Sequence, residues 1–247
     1  MKVIAIIQAR TGSTRLPNKA NARIGRRRCI EHVIARVQAA KTVDEVWVAV
    51  PAYDRKLAKL AIKRGCRAFV DVAGKEADVL GRYFRCAIRA KPDYIVRVTG
   101  DCCLIDPTVI DACVKLALGN SEFTHDNPDG PAYFCSNVWP PHERTYPDGL
   151  DVEVFTLGAL SRAQWDATAP YDREHVTPYM TREAGDRVVR TLRQAADESR
   201  HRWVLDTPED LAWLRSINKR LRFDGVHPTH RELMALLYAN PKLRRVT

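Results

Sequence analysis

Short β-branched runs and helical patterns take turns along the first hundred residues, and this alternation constrains the fold more than any other feature. Val3 to Gln8, Val46 to Val50, Arg67 to Val70 and Tyr94 to Val98 have the length and composition of strands. Between them Ile30, Val33, Ile34 and Val37 recur at helical spacing, as do Val79, Leu80, Tyr83, Phe84 and Ala87. Asp54 to Gly65 fits a helix stopped by its glycine. Strands joined through helices can pair side by side in parallel, so this order predicts a mainly parallel sheet covered on both faces, a three-layer α/β/α arrangement. Ligands of such sheets bind beyond the carboxyl ends of the strands.

The second half is less regular. Residues 119–149 are rich in Pro, Gly, Asn and Asp and read as a long excursion, a candidate substrate or dimer arm. A strand is expected over Leu150 to Phe155, helices near 157–166 and 171–183, and strands near Val188 to Leu192 and Trp203 to Leu205. Thr207-Pro208-Glu209-Asp210 opens a helix, with Thr207 as cap and the acids serving its first turn. His227 to Asn240 reads as a terminal helix packing through Leu233, Leu236 and Leu237. No internal repeat or low-complexity tract divides the chain, and 1–247 reads as one domain.

The first strand runs into Gln8-Ala9-Arg10-Thr11-Gly12-Ser13-Thr14-Arg15-Leu16-Pro17-Asn18-Lys19. Small residues let this loop approach a ligand closely, the hydroxyls of Ser13 and Thr14 add donors, and Arg10, Arg15 and Lys19 can oppose a polyphosphate. Neither the P-loop spacing nor G-x-G-x-x-G is present. Asp101 in Arg97-Val98-Thr99-Gly100-Asp101 stands at another strand end, where a carboxylate can hold a divalent metal bridging nucleotide phosphates. Asp106-Pro107 supplies a better cap for the following helix than Asp101 does. Asp206 is the acid that the helix start at Thr207 leaves over. Asp148, Asp151 and Glu153 gather three acids near one strand, with Asp151 and Glu153 on one face, and can accept hydrogen bonds from sugar hydroxyls. Arg173 can pair with a substrate carboxylate, while His175 reads equally well as a structural histidine.

Composition narrows the classes. At 45% hydrophobic and 28% charged residues the chain reads as soluble, and it has no apolar run of membrane-spanning length. Met1-Lys2 leads straight into Val3 to Ile7, which is too short for a signal-peptide core, and a cytoplasmic location is expected. The seven cysteines form no C-x-x-C pair, which argues against a zinc site or disulfide framework. The net charge of +10 is spread along the chain without a nucleic-acid-binding motif; it suits an enzyme of anionic ligands and would suit RNA too, so charge alone does not decide.

The loop resembles the signature that opens the acylneuraminate and 3-deoxy-manno-octulosonate type cytidylyltransferases, and most closely the branch of spore coat polysaccharide biosynthesis protein F. Asp78-Val79-Leu80-Gly81-Arg82-Tyr83, Arg97-Val-Thr-Gly-Asp-Cys, Leu104-Ile-Asp-Pro, Thr145-Tyr-Pro-Asp-Gly-Leu-Asp-Val-Glu-Val-Phe and Arg173-Glu-His-Val-Thr-Pro-Tyr follow in that branch's order. The resemblance implies a Rossmann-like nucleotide-diphospho-sugar transferase (GT-A) fold and transfer of CMP from CTP to an acidic sugar, with release of pyrophosphate. It implies a magnesium ion on Asp101 and Asp206, and a homodimer. It implies catalytic roles for Arg10, Lys19, Asp101 and Asp206, and a nucleotide site of Ala9, Arg10, Gly12, Ser13, Arg15, Lys19, Arg82, Thr99 and Asp101. The acceptor site it implies comprises Asp148, Asp151, Glu153, Arg173, Glu174 and His175.

The chain departs from the pattern at Asn18, where the family has glycine, at Cys103, where it has proline, and at Gly25-Arg26-Arg27-Arg28, where it has a Gly-Gly-Lys-Pro-like turn. Asparagine tolerates a left-handed backbone, so Asn18 is compatible with the loop. Three rivals stand beside this reading: the same chemistry on another acceptor such as a phosphonate or with another nucleoside triphosphate, a glycosyltransferase, and a nucleotide- or RNA-binding module without catalysis. Glycosyltransferases of this fold carry D-x-D after a strand, and Asp101-Cys102-Cys103 does not match it.

Overall fold

A computed structural model describes residues 1–119, 131–223, 225 and 227–246. Its seven-stranded sheet consists of β1 (Val3–Gln8), β4 (Glu45–Pro51), β5 (Arg67–Asp71), β6 (Tyr94–Thr99), β7 (Phe134–Ser136), β8 (Glu153–Thr156) and β9 (Val189–Thr191). The spatial order is β5-β4-β1-β6-β8-β7-β9. β8 pairs antiparallel with both of its neighbours and the other pairings are parallel, so β8 alone runs against the rest. A two-residue hairpin of β2 (Arg23–Ile24) and β3 (Arg27–Arg28) stands apart.

Strand β1 explains the layering. Val3, Ala5 and Ile7 enter one apolar core, with residues of α1 (Cys29–Gln38), α2 (Arg55–Lys63), α4 (Pro107–Ala117), α8 (Pro208–Leu221) and α9 (His230–Ala239). Ile4 and Ile6 enter the other, against α3 (Val79–Ala90), α5 (Leu157–Asp166) and the segment holding α6 (Pro170–His175) and α7 (Pro178–Arg182). A strand buried on both faces reads as a continuous apolar run, which Val3 to Ile7 is. The chain leaves β1 through α1 toward β4 on one side, and crosses through α3 to β6 on the other. The resulting crevice between the ends of β1 and β6, where Gln8 pairs with Thr99, is the switch point at which such sheets bind ligands.

Most expected elements form within a residue or two of their expected bounds; five differ. The strand expected over Leu150 to Phe155 starts only at Glu153. The expected helix over 171–183 is two short helices, because Pro178 has no N–H to continue the first. Trp203 to Leu205 forms no strand: the isolated bridge Asp148↔Arg202 lies beside it, the Trp203 and Leu205 amides donate to the Asp148 and Asp101 carbonyls, and the segment runs on as irregular chain. The excursion expected over 119–149 contains β7, whose Phe-Cys-Ser is too short to show alternation, and its residues 120–130 lie outside the described residues. The terminal helix starts at His230, where Thr229 and Glu232 form a reciprocal capping box.

Candidate active site

The loop after β1 is fixed from two sides. Asp54 accepts hydrogen bonds from the Thr11 amide at 2.8 Å and the Thr11 hydroxyl at 2.6 Å. The Thr11 carbonyl accepts from the amides of Ser13 and Asn18, so the loop folds back on itself. Asn18 takes the left-handed conformation, φ 58°, that an asparagine allows. Gly12 does not use left-handed backbone. A Cβ there would meet only the ends of the Tyr53 and Glu76 side chains, at 2.9 and 3.0 Å, which can move aside.

Asp101 and Asp206, 105 positions apart by their numbering, are brought together by the backbone. The Leu205 amide donates to the Asp101 carbonyl at 3.1 Å, which lays the chain before α8 beside the end of β6. Gly100 lets the end of β6 pack closely on the end of β1, since a Cβ there would stand 2.8 Å from the Gln8 carbonyl. Thr207 and Asp210 form the capping box of α8, with Asp210 also accepting from the Asp206 amide, so the Asp206 side chain is left to face the crevice.

Lys19 lies between the two carboxylates. Its ammonium donates to Asp101 Oδ2 and, at 2.7 Å, to Asp206 Oδ1. Asp206 Oδ2 meets Arg15 at 3.0 Å and Arg202 at 3.1 Å, and Asp101 Oδ1 accepts from the Thr99 hydroxyl at 2.6 Å. Burial acts against the Lys19 charge, but the Asp101 and Asp206 carboxylates outweigh it and hold the ammonium above its ordinary value. Burial likewise pushes the Asp206 carboxyl up, and Lys19, Arg202 and Arg15 overcome it, so the group titrates below the usual carboxylate range.

A cleft of about 300 Å³ opens at this point. Of the residues expected at a site, Ala9, Arg10, Arg15, Lys19 and Arg82 line it, as do Thr99, Asp101, Glu174, His175 and Asp206. Ser13 lines an adjoining cavity of about 100 Å³ bounded by Arg10, Arg15, Lys19 and Asp206, and its hydroxyl oxygen is buried without a partner. Asp148, Asp151, Glu153 and Arg173 do not line the cleft. Arg173 holds Asp78, the N-cap of α3, through Nη2 at 2.6 Å and Nε at 2.9 Å. Arg202 links Asp148, at 2.7 Å, to Asp206, and Arg144 holds Asp151 at 2.5 Å. Burial pushes the Asp151 carboxyl up to about 6, against the pull of Arg144.

Two polar cleft residues escape sequence reasoning, Gln8 and Arg97. Arg97 alternates with the core residues Val96 and Val98, and is paired in register with Glu153 of β8. Their side chains form a buried ion pair, and Glu153 Oε1 also accepts from the Thr177 hydroxyl at 2.5 Å. Nε of Arg97 has no partner although it is buried, and the residue lines the cleft floor. The available signal was a lone arginine in an otherwise apolar strand. The wall opposite is set by Val176, which ends α6 at φ 74° and ψ −54° while the Thr177 amide donates to the His175 carbonyl at 2.9 Å. This is a γ-turn that a β-branched residue adopts only under strain, and it places Glu174 and His175 at the cleft.

The chain matches the profile of the cytidylyltransferase family over residues 4–243. It belongs to the cytidylyltransferase family. Over 251 residues it is 30% identical to spore coat polysaccharide biosynthesis protein SpsF of Bacillus subtilis, an alignment covering 97% of this chain and 95% of that one. It is 36% identical over 120 residues to a 3-deoxy-manno-octulosonate cytidylyltransferase of Trichlorobacter lovleyi, covering 49% of this chain and 46% of the relative. Among solved structures, a cytidylyltransferase from Leptospira borgpetersenii superposes with a TM-score of 0.85 at 32% identity, covering 98% of this chain and 96% of that one. This cytidylyltransferase thus has the Rossmann-like fold of nucleotidyltransferases, with its cleft at the switch point of the sheet. Among its described residues no helix is long and apolar enough to cross a membrane.

Proposed function

We propose that this cytidylyltransferase transfers CMP from CTP to a hydroxyl of an acidic sugar and releases pyrophosphate, using magnesium. The observation that carries the reading is the convergence of Asp101 and Asp206 on one cation within a cleft rimmed by Arg10, Arg15 and Lys19. Two carboxylates facing a single point are hard oxygen donors of the kind magnesium takes, so the residues fit that ion. When bound, the metal supplies charge neutralisation at the phosphates during transfer.

The protein's part is positioning and electrostatics. Arg10, Arg15 and Lys19 hold the β- and γ-phosphates, which depart together as pyrophosphate when the acceptor oxygen bonds to the α-phosphorus and the bond to the bridging oxygen breaks. Arg82 and the Gln8-Ala9 segment form the nucleoside end of the cleft beside Val79. Arg97 supports an acidic acceptor: it lines the cleft, and its guanidinium, whose Nε has no partner, suits a carboxylate. Glu174 and His175 make no ion pair among the described residues and can take the proton of the attacking hydroxyl. The relatives named for polysaccharide biosynthesis and for 3-deoxy-manno-octulosonate support a sugar acid. The test is Asp101→Asn and Asp206→Asn: each is expected to cut magnesium-dependent pyrophosphate release on the order of a hundredfold or more. An unchanged rate in both removes the metal assignment.

A further inference from the structure

Every oxygen of the two acids expected to hold magnesium is engaged. Lys19 touches both, Arg15 and Arg202 take the second oxygen of Asp206, and Thr99 takes that of Asp101. Lys19, Arg15 and the Thr99 hydroxyl, with Arg202 shared between Asp206 and Asp148, thus occupy the two carboxylates and leave no oxygen free for a divalent ion. Among the described residues, moreover, no group of three His, Cys, Asp or Glu side chains is placed to hold a metal. Magnesium gives up its water reluctantly, and its sites normally combine one or two carboxylates with substrate phosphates.

We infer that Lys19 is the counter-ion of Asp101 and Asp206 in the nucleotide-free protein and moves to the triphosphate when nucleotide binds, so that metal and nucleotide enter the site as a pair. The inference rests on the nucleotidyl-transfer reading and extends it to the order of events. The Arg10 and Arg15 side chains are 44% and 67% exposed, open to an arriving triphosphate, whereas that of Lys19 is 19% exposed and lies inside. A polyphosphate drawn in by the outer arginines competes with the two aspartates for the Lys19 ammonium. Each oxygen that Lys19 leaves becomes a ligand position, so nucleotide strengthens metal binding and metal strengthens nucleotide binding by the same factor. Lys19 also keeps the aspartates from repelling each other before substrate arrives.

The test titrates wild type, Lys19→Met and Lys19→Gln with Mn2+ alone, reading free Mn2+ by electron paramagnetic resonance. Wild type is expected to bind Mn2+ weakly without nucleotide. Both variants are expected to gain a site at least about tenfold tighter, which adding Asp101→Asn removes, while their affinity for CTP falls. Equal Mn2+ affinity in wild type and both variants overturns the exchange. Two variants guard against a folding defect in either. Wild type that binds no CTP, with or without Mn2+, defeats the nucleotidyl-transfer reading, whereas the comparison in Mn2+ alone decides the role of Lys19 by itself.

Discussion

At the scale of single residues, the site is built from groups whose partners define their roles. The Arg97–Glu153 pair is the clearest case, because a buried ion pair seldom stabilises more than apolar side chains of the same volume do. Arg97→Met leaves Glu153 buried and unpaired, and is expected to cost about 3–5 kcal/mol in urea unfolding. Adding Glu153→Met should recover most of that loss while leaving turnover of acidic acceptors impaired. Full activity in the stable double variant would assign the pair a structural role alone. Gly149 offers a second check. It has φ +102°, and a Cβ there would stand 2.8 Å from the Trp203 carbonyl carbon. Gly149→Ala is therefore expected to destabilise by about 1–3 kcal/mol and, by displacing the chain that leads to Asp206, to weaken metal-dependent activity too. Asp101 and Asp206 were legible in sequence because each stood at a strand or helix end without a capping duty. The tasks of Glu153 and Arg173 were not, because an acid or a base in a motif does not reveal which charge it will face.

Elements of the fold hold the site through their ends. Asp106 caps α4 by accepting from the Thr108 amide at 2.8 Å, and it also accepts from the His230 amide at the start of α9 at 2.7 Å. Burial works against its charge, but the His230 and Thr108 donors prevail and bring the carboxyl down to about 2. A group lowered from 3.8 stabilises the fold fully above that pH and loses its contribution as pH falls through 2. The contribution is about 2 kcal/mol, so the protein should lose that much between about pH 4 and pH 2, and Asp106→Asn should flatten this part of the profile. The caps at Asp106 and Thr207 were readable because capping is local chemistry. Pro178 marks the split between α6 and α7 in the sequence, but the γ-turn at Val176 was not readable, because a buried valine at positive φ contradicts local preference. Trp203 to Leu205 has strand composition, yet its partners are an isolated bridge and the Asp148 and Asp101 carbonyls, so apolar burial rather than a ladder explains it.

For the whole molecule, strand alternation led to the doubly wound sheet because Val3 to Ile7 and its neighbours bury both faces and leave few other topologies. The antiparallel β8 is inserted between β6 and β7, and β7 and β9 are only three residues each, so sequence pattern conveys this extension of the sheet poorly. This extension sets Glu153 against Arg97, which itself lines the cleft. The proposed function is that this cleft couples CTP to an acid. A pyrophosphate-release assay with magnesium, pairing CTP, UTP, GTP and ATP in turn with a panel of sugar acids and their neutral amides, tests it most directly. Turnover is expected with CTP and at least one acid, with the matching amide poorly used. Release that is indifferent to the base, or equal for acid and amide, would contradict it.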